Sequence, residues 1–314
     1  MGLFDRFRET IFVKSDSELE KKIEVLKKLK EKYPNNKDIE HDLYIAELGL
    51  AGEKEIAYEL KNANIGMFVL HDVNIEIEDY KAQIDYVVIT PGYIYFIECK
   101  NLIGNIKVNE NGDFIREYEY KGQKVRKGIY SPIRQVERQK EVYKKIWVEN
   151  RGKIVSRLLE NGFDNYIKTL VVMAKQENIL NTKYAPKDIK NKVIRSDSLI
   201  RHIKADLEKI DILASKKDME KIAEWYMHIN VPVNKNYEED YKLEEGKIGL
   251  KEKLIAFRTA TAKEKKIPPY YVFNNDELEN ILASNPKSLD DLRKILPDVK
   301  VNVHGKKILE IINM

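Results

Sequence analysis

The sequence predicts an α/β protein of the α+β kind, followed by a small all-helical domain. Segments with helical periodicity flank a central zone of β-branched and aromatic runs, and only helical periodicity remains after residue 248. The chain has 314 residues, of which 43% are hydrophobic and 34% are charged. This length suggests roughly two domains, and the apolar content is too high for a disordered chain.

Residues 1–47 are predicted to form an N-terminal helical extension. Residues 16–33 carry a partial apolar stripe among lysines and glutamates, and Pro34 ends the helix. The helical period continues over residues 37–48 and 52–63, with Gly49 and Gly52 between the two segments. The four residues of the stripe are Leu19, Ile23, Leu26 and Leu29.

The pattern changes to strands at Met67. A broken run covers residues 67–75, and two β-branched and aromatic runs, 84–90 and 93–99, flank the turn signal Pro91-Gly92. Short alternating runs then extend this zone as a meander, over Ile106 to Val108, Phe114 to Tyr120 and Val125.

The second half alternates helices with one buried strand. Ser131 and Pro132 are an N-cap and a first helical residue, and they open a helix to about Val148. A strand is predicted over residues 167–174, with helices over residues 198–210 and 217–229.

Residues 48–230 therefore form one domain. A polar linker covers 231–247, and the helical domain covers 248–314. Its helices are expected over 250–266, 276–283, 287–295 and 306–313, with Pro297-Asp298 and Gly305 among the turns between them.

Composition excludes several classes of protein. One cysteine, Cys99, permits neither an intrachain disulfide nor a cysteine-rich zinc site, and the five histidines are scattered without ligand spacing. Neither a P-loop nor a G-x-G-x-x-G dinucleotide motif occurs. The net charge of +4 excludes a uniformly basic nucleic-acid coat. Neither a signal peptide nor an apolar run long enough to span a membrane is seen, so a cytoplasmic location without membrane contact is expected.

Two acidic residues are the most informative feature of the strand zone. In a hairpin centred on Pro91-Gly92, cross-strand partners have numbers that sum to 183, which places Asp85 opposite Glu98. Glu98 and Lys100 share a face, and Cys99 points to the other. The negative charge of two opposed carboxylates at the rim of an apolar face has to be offset, and a hard divalent cation such as Mg²⁺ or Mn²⁺ would offset it. Lys100 would then lie beside the metal and stabilise negative charge.

The spacing alone also fits a simpler interpretation. Asp85, Glu98 and Lys100 would then form an ion-pair cluster at a strand end, without a metal. The E-x-K pattern by itself has little weight, since it recurs at Glu59-Leu60-Lys61 and elsewhere in charged helices. A loop with an odd number of residues would shift the pairing by one.

A basic segment follows the acids in the chain. Residues 121–145 contain nine basic and two acidic residues, a net charge of +7. This run indicates either a phosphate-binding surface close to the acids or a solvated helix face. The candidate nucleic-acid ligands are Lys121, Lys124, Arg126, Lys127, Arg134 and Arg138.

Residues 48–150 resemble the NERD (nuclease-related) domain of the PD-(D/E)xK nuclease superfamily. The resemblance implies a restriction-endonuclease-like fold, in which helices flank a mixed central sheet. It also implies that Asp85 and Glu98 are metal ligands and that Lys100 is the catalytic lysine. Glu53 would have a supporting acidic role and Gln135 would lie near the site. The motifs are Leu50-Ala51-Gly52-Glu53, His71-Asp72-Val73, Gln83 to Val88, Gly92 to Asn101, Gly104-Asn105-Ile106 and Ser131 to Gln135.

The C-terminal residues, from about 248 to 314, resemble an HRDC domain, the helical module appended to RecQ-type helicases and RNase D-like enzymes. The resemblance implies an auxiliary nucleic-acid-binding or protein-contact module. Of Tyr270, Tyr271 and Phe273, at least two are expected to pack in its core. The motif residues are Leu254 to Arg258, Ala262, Ile267 to Phe273, Leu278, Pro286, Leu289, Leu292 and Gly305.

These observations favour a metal-dependent nuclease that hydrolyses single- or double-stranded DNA. Asp85, Glu98 and the backbone carbonyl of Cys99 would hold Mg²⁺ or Mn²⁺, and Lys100 would position or activate the attacking water. The alternatives are a non-catalytic nucleic-acid-binding adaptor in DNA processing or repair, and a protein-interaction scaffold. A helicase or another repair protein is a candidate partner.

Overall fold

A computed structural model describes residues 7–120, 122–150, 162–175, 177–210, 213–241 and 245–313, with the backbone alone for 245–248. The chain divides into two compact units, Met1–Tyr237 and Glu238–Met314. The first unit holds two sheets with helices around them, and the second is helical. The predicted class, a mixed sheet flanked by helices with a helical C-terminal domain, is confirmed.

The main sheet has six strands in the order β1-β2-β3-β4-β8-β10. Its outer pairs, β1–β2, β4–β8 and β8–β10, are parallel, whereas β2–β3 and β3–β4 are antiparallel. The sheet is therefore mixed, and it is built around a β2-β3-β4 meander. The strands are β1 (Thr10–Lys14), β2 (Met67–Ile77), β3 (Tyr80–Ile89), β4 (Ile94–Lys100), β8 (Ile167–Met173) and β10 (Val193–Arg195).

The β3–β4 hairpin has the predicted register. Tyr86 pairs with Ile97 and Ile89 pairs with Ile94, so partner numbers sum to 183. The amide of Thr90 donates to the carbonyl of Tyr93, which closes the turn around Pro91-Gly92. The alternation of apolar residues on both strands fixes this register, because a slip by one residue would exchange the two faces.

Both faces of the main sheet are covered by helices. Val87 and Ile89 of β3 join a core formed with α3 (Pro132–Glu149) and α6 (Lys216–Ile229). Tyr86 and Val88, which alternate with them, pack against α2 (Lys37–Lys61) and α5 (Leu199–Leu207). A sheet buried on both faces explains the near-continuous apolar runs of its strands.

The N-terminal extension differs from the all-helical prediction. Residues 10–14 form β1, which adds in parallel to β2, and α1 (Glu18–Lys32) follows with Ser17 as its N-cap. A five-residue strand with a partner more than fifty residues away leaves little signal in local sequence. The buried side chains of α1 are Ile23, Leu26 and Leu29, three of the four residues of the predicted stripe.

The helix α2 is continuous, so the prediction of two helices separated at Gly49 and Gly52 is wrong. Gly52 lies inside the helix where α2 approaches the chain after β4. A Cβ atom at Gly52 would lie 2.5 Å from the Cβ of Asn101. The glycine therefore permits close packing rather than ending a helix.

A second sheet has four strands in the order β7-β6-β5-β9. The meander predicted after residue 106 is present, but it forms this separate sheet. The strands are β5 (Asn105–Val108), β6 (Phe114–Tyr120), β7 (Gln123–Ile129) and β9 (Leu180–Asn181). Ile106, Val108 and Phe114 are buried in the same core as Val136 of α3, so one face of this sheet packs on the α3 side of the main sheet.

The remaining elements of the first unit largely follow the predictions. The hydroxyl of Ser131 caps α3, and Pro132 is its first residue. A short helix α4 (Lys187–Lys190) precedes β10. No helix in the described part of the chain is long and apolar enough to cross a membrane.

The second unit contains α7 (Glu245–Lys265), α8 (Asn275–Ser284), α9 (Leu289–Arg293) and α10 (Asp298–Ile312) around a core that includes Leu254, Phe273 and Ile308. The last helix begins at Asp298, so Pro297-Asp298 starts a helix and Gly305 lies within it, contrary to the predicted turns.

The aromatic cluster of this unit also differs from the prediction. Phe273 is buried, but Tyr270 and Tyr271 are each 59% exposed, and their rings stack at 5.0 Å. Only one of the three aromatic residues therefore packs in the core.

Candidate active site

The β3–β4 ladder ends one residue before the two predicted acids. Its last pair is Tyr86–Ile97, so Asp85 and Glu98 are the next opposed positions. The amide of Cys99 donates to Oδ2 of Asp85 at 2.7 Å. Since the N–H and C=O of a strand residue point to the same side, the Cys99 carbonyl is also directed toward Asp85. This edge thus brings together two carboxylates and a backbone carbonyl.

Glu98 is held by two side chains, those of Lys100 and Gln139. It is 2% exposed, its Oε1 lies 2.5 Å from Nζ of Lys100, and its Oε2 accepts from the amide of Gln139 at 2.7 Å. The Lys100 ammonium also donates to Oε1 of Gln135 at 3.1 Å. Gln135 and Gln139 are four residues apart on α3, so they project from the same face of the helix. That face fixes both Glu98 and Lys100.

The charges at this edge are unbalanced. Burial raises the pKa of Asp85 well above its usual value, and the charge of Glu98 raises it further, against the hydrogen bond from Cys99. Glu53 raises the pKa of Asp85 as well, whereas Lys100 lowers it. Burial also raises the pKa of the Cys99 thiol, which disfavours a thiolate nucleophile. The site therefore has a surplus of negative charge that a cation would offset.

The donor atoms suit a hard cation. Carboxylate and carbonyl oxygens are the ligands that Mg²⁺ and Mn²⁺ prefer, and each carboxylate oxygen can accept a second interaction besides its hydrogen bond. The Oε1 atom of Gln139 is buried and has no hydrogen-bond partner among the described residues, so a bound water could satisfy it. No group of three or more His, Cys, Asp or Glu side chains in the described ranges is arranged to hold a metal. Two acids, one carbonyl and water remain a sufficient set for Mg²⁺.

Glu53 reaches the region from α2, on the opposite face of the sheet. Its Oε2 lies 2.9 Å from Nε2 of His71 and 3.4 Å from the hydroxyl of Ser17. The other ring nitrogen of His71 lies 3.3 Å from the carbonyl of Ser15, and the ring stacks on Tyr86 at 4.5 Å. Glu53 is therefore a positioned carboxylate that contacts a buried histidine.

Asp72 continues the row of acids across the sheet. The β2–β3 register places it opposite Asp85, between the pairs His71–Tyr86 and Val73–Ile84. Its backbone is left-handed, with φ of 54°, and its side chain accepts from Gln83 at 2.7 Å and from the amide of Glu18 at 2.6 Å. These bonds tie the start of α1 to β2, so Asp72 has a structural task at the edge of the site.

Comparison with known protein families identifies the domain in which this site lies. The family description of nuclease-related (NERD) domains matches residues 48–174, and that of HRDC domains matches residues 249–312. The chain contains a NERD domain followed by an HRDC domain. No curated protein and no solved structure matches the chain. The site at Asp85 and Glu98 lies inside the NERD domain, and the HRDC domain indicates nucleic-acid binding.

The NERD domain gathers the predicted catalytic residues in one region. Asp85, Glu98, Lys100 and Gln135 are linked through the contacts above, and Glu53 lies close enough to affect the pKa of Asp85. Their roles in catalysis and metal binding stay predictions.

The six candidate nucleic-acid ligands are not gathered in the same way. Lys121 lies outside the described residues. Lys124 and Arg126 lie opposite Glu119 and Glu117 in the β6–β7 register, whereas Lys127 lies opposite Arg116. The remaining two, Arg134 and Arg138, are exposed on α3. The count of +7 began at residue 121 and so left out the two glutamates of β6.

Sequence reasoning missed three residues of the NERD site. Gln139 binds Glu98, and its spacing of four from Gln135 was a usable signal. His71 and Asp72 belong to a motif that carried the family resemblance, but their contacts with Glu53 and Glu18 depend on folding.

Proposed function

We propose that this protein is a metal-dependent nuclease that hydrolyses phosphodiester bonds of DNA. The observation that carries the proposal is an opposed pair of acids, the half-buried Asp85 and the buried Glu98, with one lysine and a surplus of negative charge. Both acids lie within a nuclease-related domain. An HRDC domain in the same chain supports a nucleic acid as the substrate.

The proposed reaction assigns a task to each residue. Asp85, Glu98 and the Cys99 carbonyl would hold Mg²⁺ or Mn²⁺, which when bound would make water more acidic and offset phosphate charge. Lys100, fixed by Glu98 and Gln135, would donate to an oxygen of the scissile phosphate as negative charge builds up there. Water then adds to phosphorus and the bond to the leaving sugar oxygen breaks. Gln139 keeps Glu98 oriented.

The test is cleavage of plasmid DNA and of single-stranded oligonucleotides, with Mg²⁺, with Mn²⁺ and with chelator. Lys100→Met is expected to lower the rate by about 10²–10³, the usual effect of removing a donor to a developing oxyanion. Lys61 is a matched control, because it ends another E-x-K sequence but lies at the end of α2. Lys61→Met should cleave as the parent does. Full activity of Lys100→Met and Asp85→Asn would exclude this site.

One observation favours the non-catalytic adaptor as the second candidate. Both oxygens of Glu98 already accept hydrogen bonds, from Lys100 and from Gln139, so this acid is partly compensated without a metal. An adaptor would bind DNA in a salt-sensitive manner and cleave nothing in Mg²⁺ or Mn²⁺. Calorimetric titration of either metal separates the two, since only the nuclease needs a metal site that Asp85→Asn removes.

A cytoplasmic location and a helicase or repair protein as partner remain part of this proposal. Co-purification with DNA-processing proteins would support the partner, and its loss on deleting residues 248–314 would assign the contact to the HRDC domain.

A further inference from the structure

The two faces of the β6–β7 hairpin differ in charge. On one face, Glu117 and Glu119 lie opposite Arg126 and Lys124, and Arg126 Nε is 3.5 Å from Glu117 Oε1. Acids and bases are equal in number on that outer face. The other face, which we call the inner face, has Arg116 opposite Lys127 and no acid on either strand. The positive charge of the hairpin is therefore concentrated on the inner face.

The inner face is an extension of the protein core. Phe114 and Ile129 are a cross-strand pair on this face, and both pack in the cluster that contains Val136 of α3 and Val87 of β3. Val87 shares its face of the main sheet with Glu98 and Lys100 by strand alternation. The inner face of the hairpin thus opens on the side of the main sheet where the candidate active site lies.

The chain that leaves Lys100 runs along this face. The guanidinium of Arg116 donates through Nε to the carbonyl of Ile103, three residues after Lys100. Gly104 has φ of 94°, and a Cβ atom there would lie 2.6 Å from the Cβ of Tyr118. The loop after Lys100 is therefore packed directly on the hairpin.

The inner face carries aromatic rings beside its cations. Arg116 lies 4.5 Å from the ring centroid of Tyr118, and Tyr120, two residues further on the same face, is 59% exposed. Lys127 is exposed across from Arg116. Aromatic rings stack on unpaired bases of any sequence, whereas bases within a duplex offer no free faces. Cations beside such rings bind the phosphates of the same strand.

We propose that the inner face of the β6–β7 hairpin, formed by Arg116, Tyr118, Tyr120 and Lys127, binds a single-stranded nucleic acid and leads it to the acids at Asp85 and Glu98. The part that concerns delivery rests on the proposed nuclease function, but binding does not. The substrate class expected from this face is an unpaired strand. Lys124 and Arg126, which lie on the outer face, are expected to contribute little to binding.

The experiment measures binding without cleavage. A Glu98→Gln background in chelator is titrated onto fluorescent 15-nucleotide single strands of deoxythymidine and of uridine and onto a 15-base-pair duplex. Tyr120→Ala is expected to weaken single-strand binding by about five- to hundredfold, the usual effect of removing one stacked ring, and to change duplex binding less. Comparing the two single strands tells whether DNA or RNA is preferred.

Two lysines on one strand provide a matched pair. Lys127→Ala should weaken single-strand binding and lower the slope of log K against log salt by about 0.7, whereas Lys124→Ala should change neither. Equal losses for the two lysines, or binding of Tyr120→Ala within twofold of the background, would overturn the proposal. An equal loss of duplex binding in Tyr120→Ala would do so as well. Thermal unfolding of each variant checks that the fold is retained. Intact binding with no cleavage by the parent protein would refute the nuclease function alone.

Discussion

Two carboxylates, the buried Asp206 and the half-buried Asp85, lie toward opposite ends of the paired strands β4 and β8, and they have opposite surroundings. Asp206 contacts Nζ of Lys168 at 2.6 Å, Nζ of Lys209 at 3.1 Å and the hydroxyl of Tyr95 at 3.1 Å. Burial raises its pKa, but the hydrogen bonds from the two lysines outweigh burial and leave the pKa below its usual value. At the other end, Asp85 faces Glu98 and has a raised pKa.

The difference separates a carboxylate whose charge is neutralised by neighbouring lysines from one whose charge is not. Two lysines neutralise the charge of Asp206, and its contacts with Lys168 and Tyr95 hold α5 to the sheet. Asp85 shares one lysine with Glu98, an arrangement that costs stability and is found where a ligand supplies the missing charge. The balance of neighbouring charge, rather than burial alone, distinguishes the two ends.

The largest expected effect is stabilisation by metal at the Asp85 end alone. Mg²⁺ or Mn²⁺ at about 100 times its dissociation constant should raise the free energy of unfolding by about 2.7 kcal/mol. Both tryptophans, Trp147 and Trp225, lie in the first unit, so their fluorescence during urea unfolding reports this unit. Asp206→Asn should retain the gain and Asp85→Asn should lose it. An equal gain in both variants would place the metal elsewhere.

Removal of the carboxylate at the other end should destabilise the protein with or without metal. Asp206→Ala is expected to lower the free energy of unfolding by about 2 kcal/mol, because charged hydrogen bonds to two lysines are lost. Since the pKa of Asp206 is lowered by folding, this contribution is present above the usual value of 3.8 and is lost as pH falls through the lower folded pKa. Urea unfolding of both proteins at a series of pH values measures the difference. A difference that grows toward acid pH would contradict this assignment.

Removal of the Tyr95 hydroxyl, which donates to Asp206, should have a smaller effect. Tyr95→Phe should lower the free energy of unfolding by about 1 kcal/mol, since one buried hydrogen bond to a charged group is removed without changing the ring. Tyr93→Phe is the control, because Lys168 lies 3.6 Å from the centroid of that ring and the ring is retained. Equal stability of the two variants would show that the hydroxyl contributes nothing.

The smallest effect should have the opposite sign. In chelator, Asp85→Asn is expected to raise the free energy of unfolding by up to about 1 kcal/mol, because repulsion from Glu98 is relieved. The amide oxygen of asparagine can still accept from Cys99, so the backbone contact is kept. A loss of stability in the metal-free protein would mean that Asp85 is compensated without a ligand.

Sequence alone predicted the centre of the fold because its signals there are local. Alternating apolar residues around Pro91-Gly92 define both the register and the face of each side chain, and the observed pairs follow that register. Ser131 and Pro132 marked the start of α3 for the same reason, since a cap depends on adjacent residues.

Features that depend on distant residues were missed or misread. The glycine at position 52 reads as a break, but its neighbour in space is Asn101. The strand β1 gains its partner only when β2 is in place. The charge of the β6–β7 hairpin depends on which residues share a face, which a window along the chain does not distinguish.

The start of the chain has a consequence for the smallest piece that could fold and function. A fragment cut at residue 48, where the family match begins, would lack β1 and leave β2 as a bare sheet edge open to pairing with other molecules. It would also remove Ser15, Ser17 and Glu18, which hold His71, Glu53 and Asp72. The unit to express or transplant therefore has to include β1 and the start of α1, well before the boundary at which the family becomes recognisable.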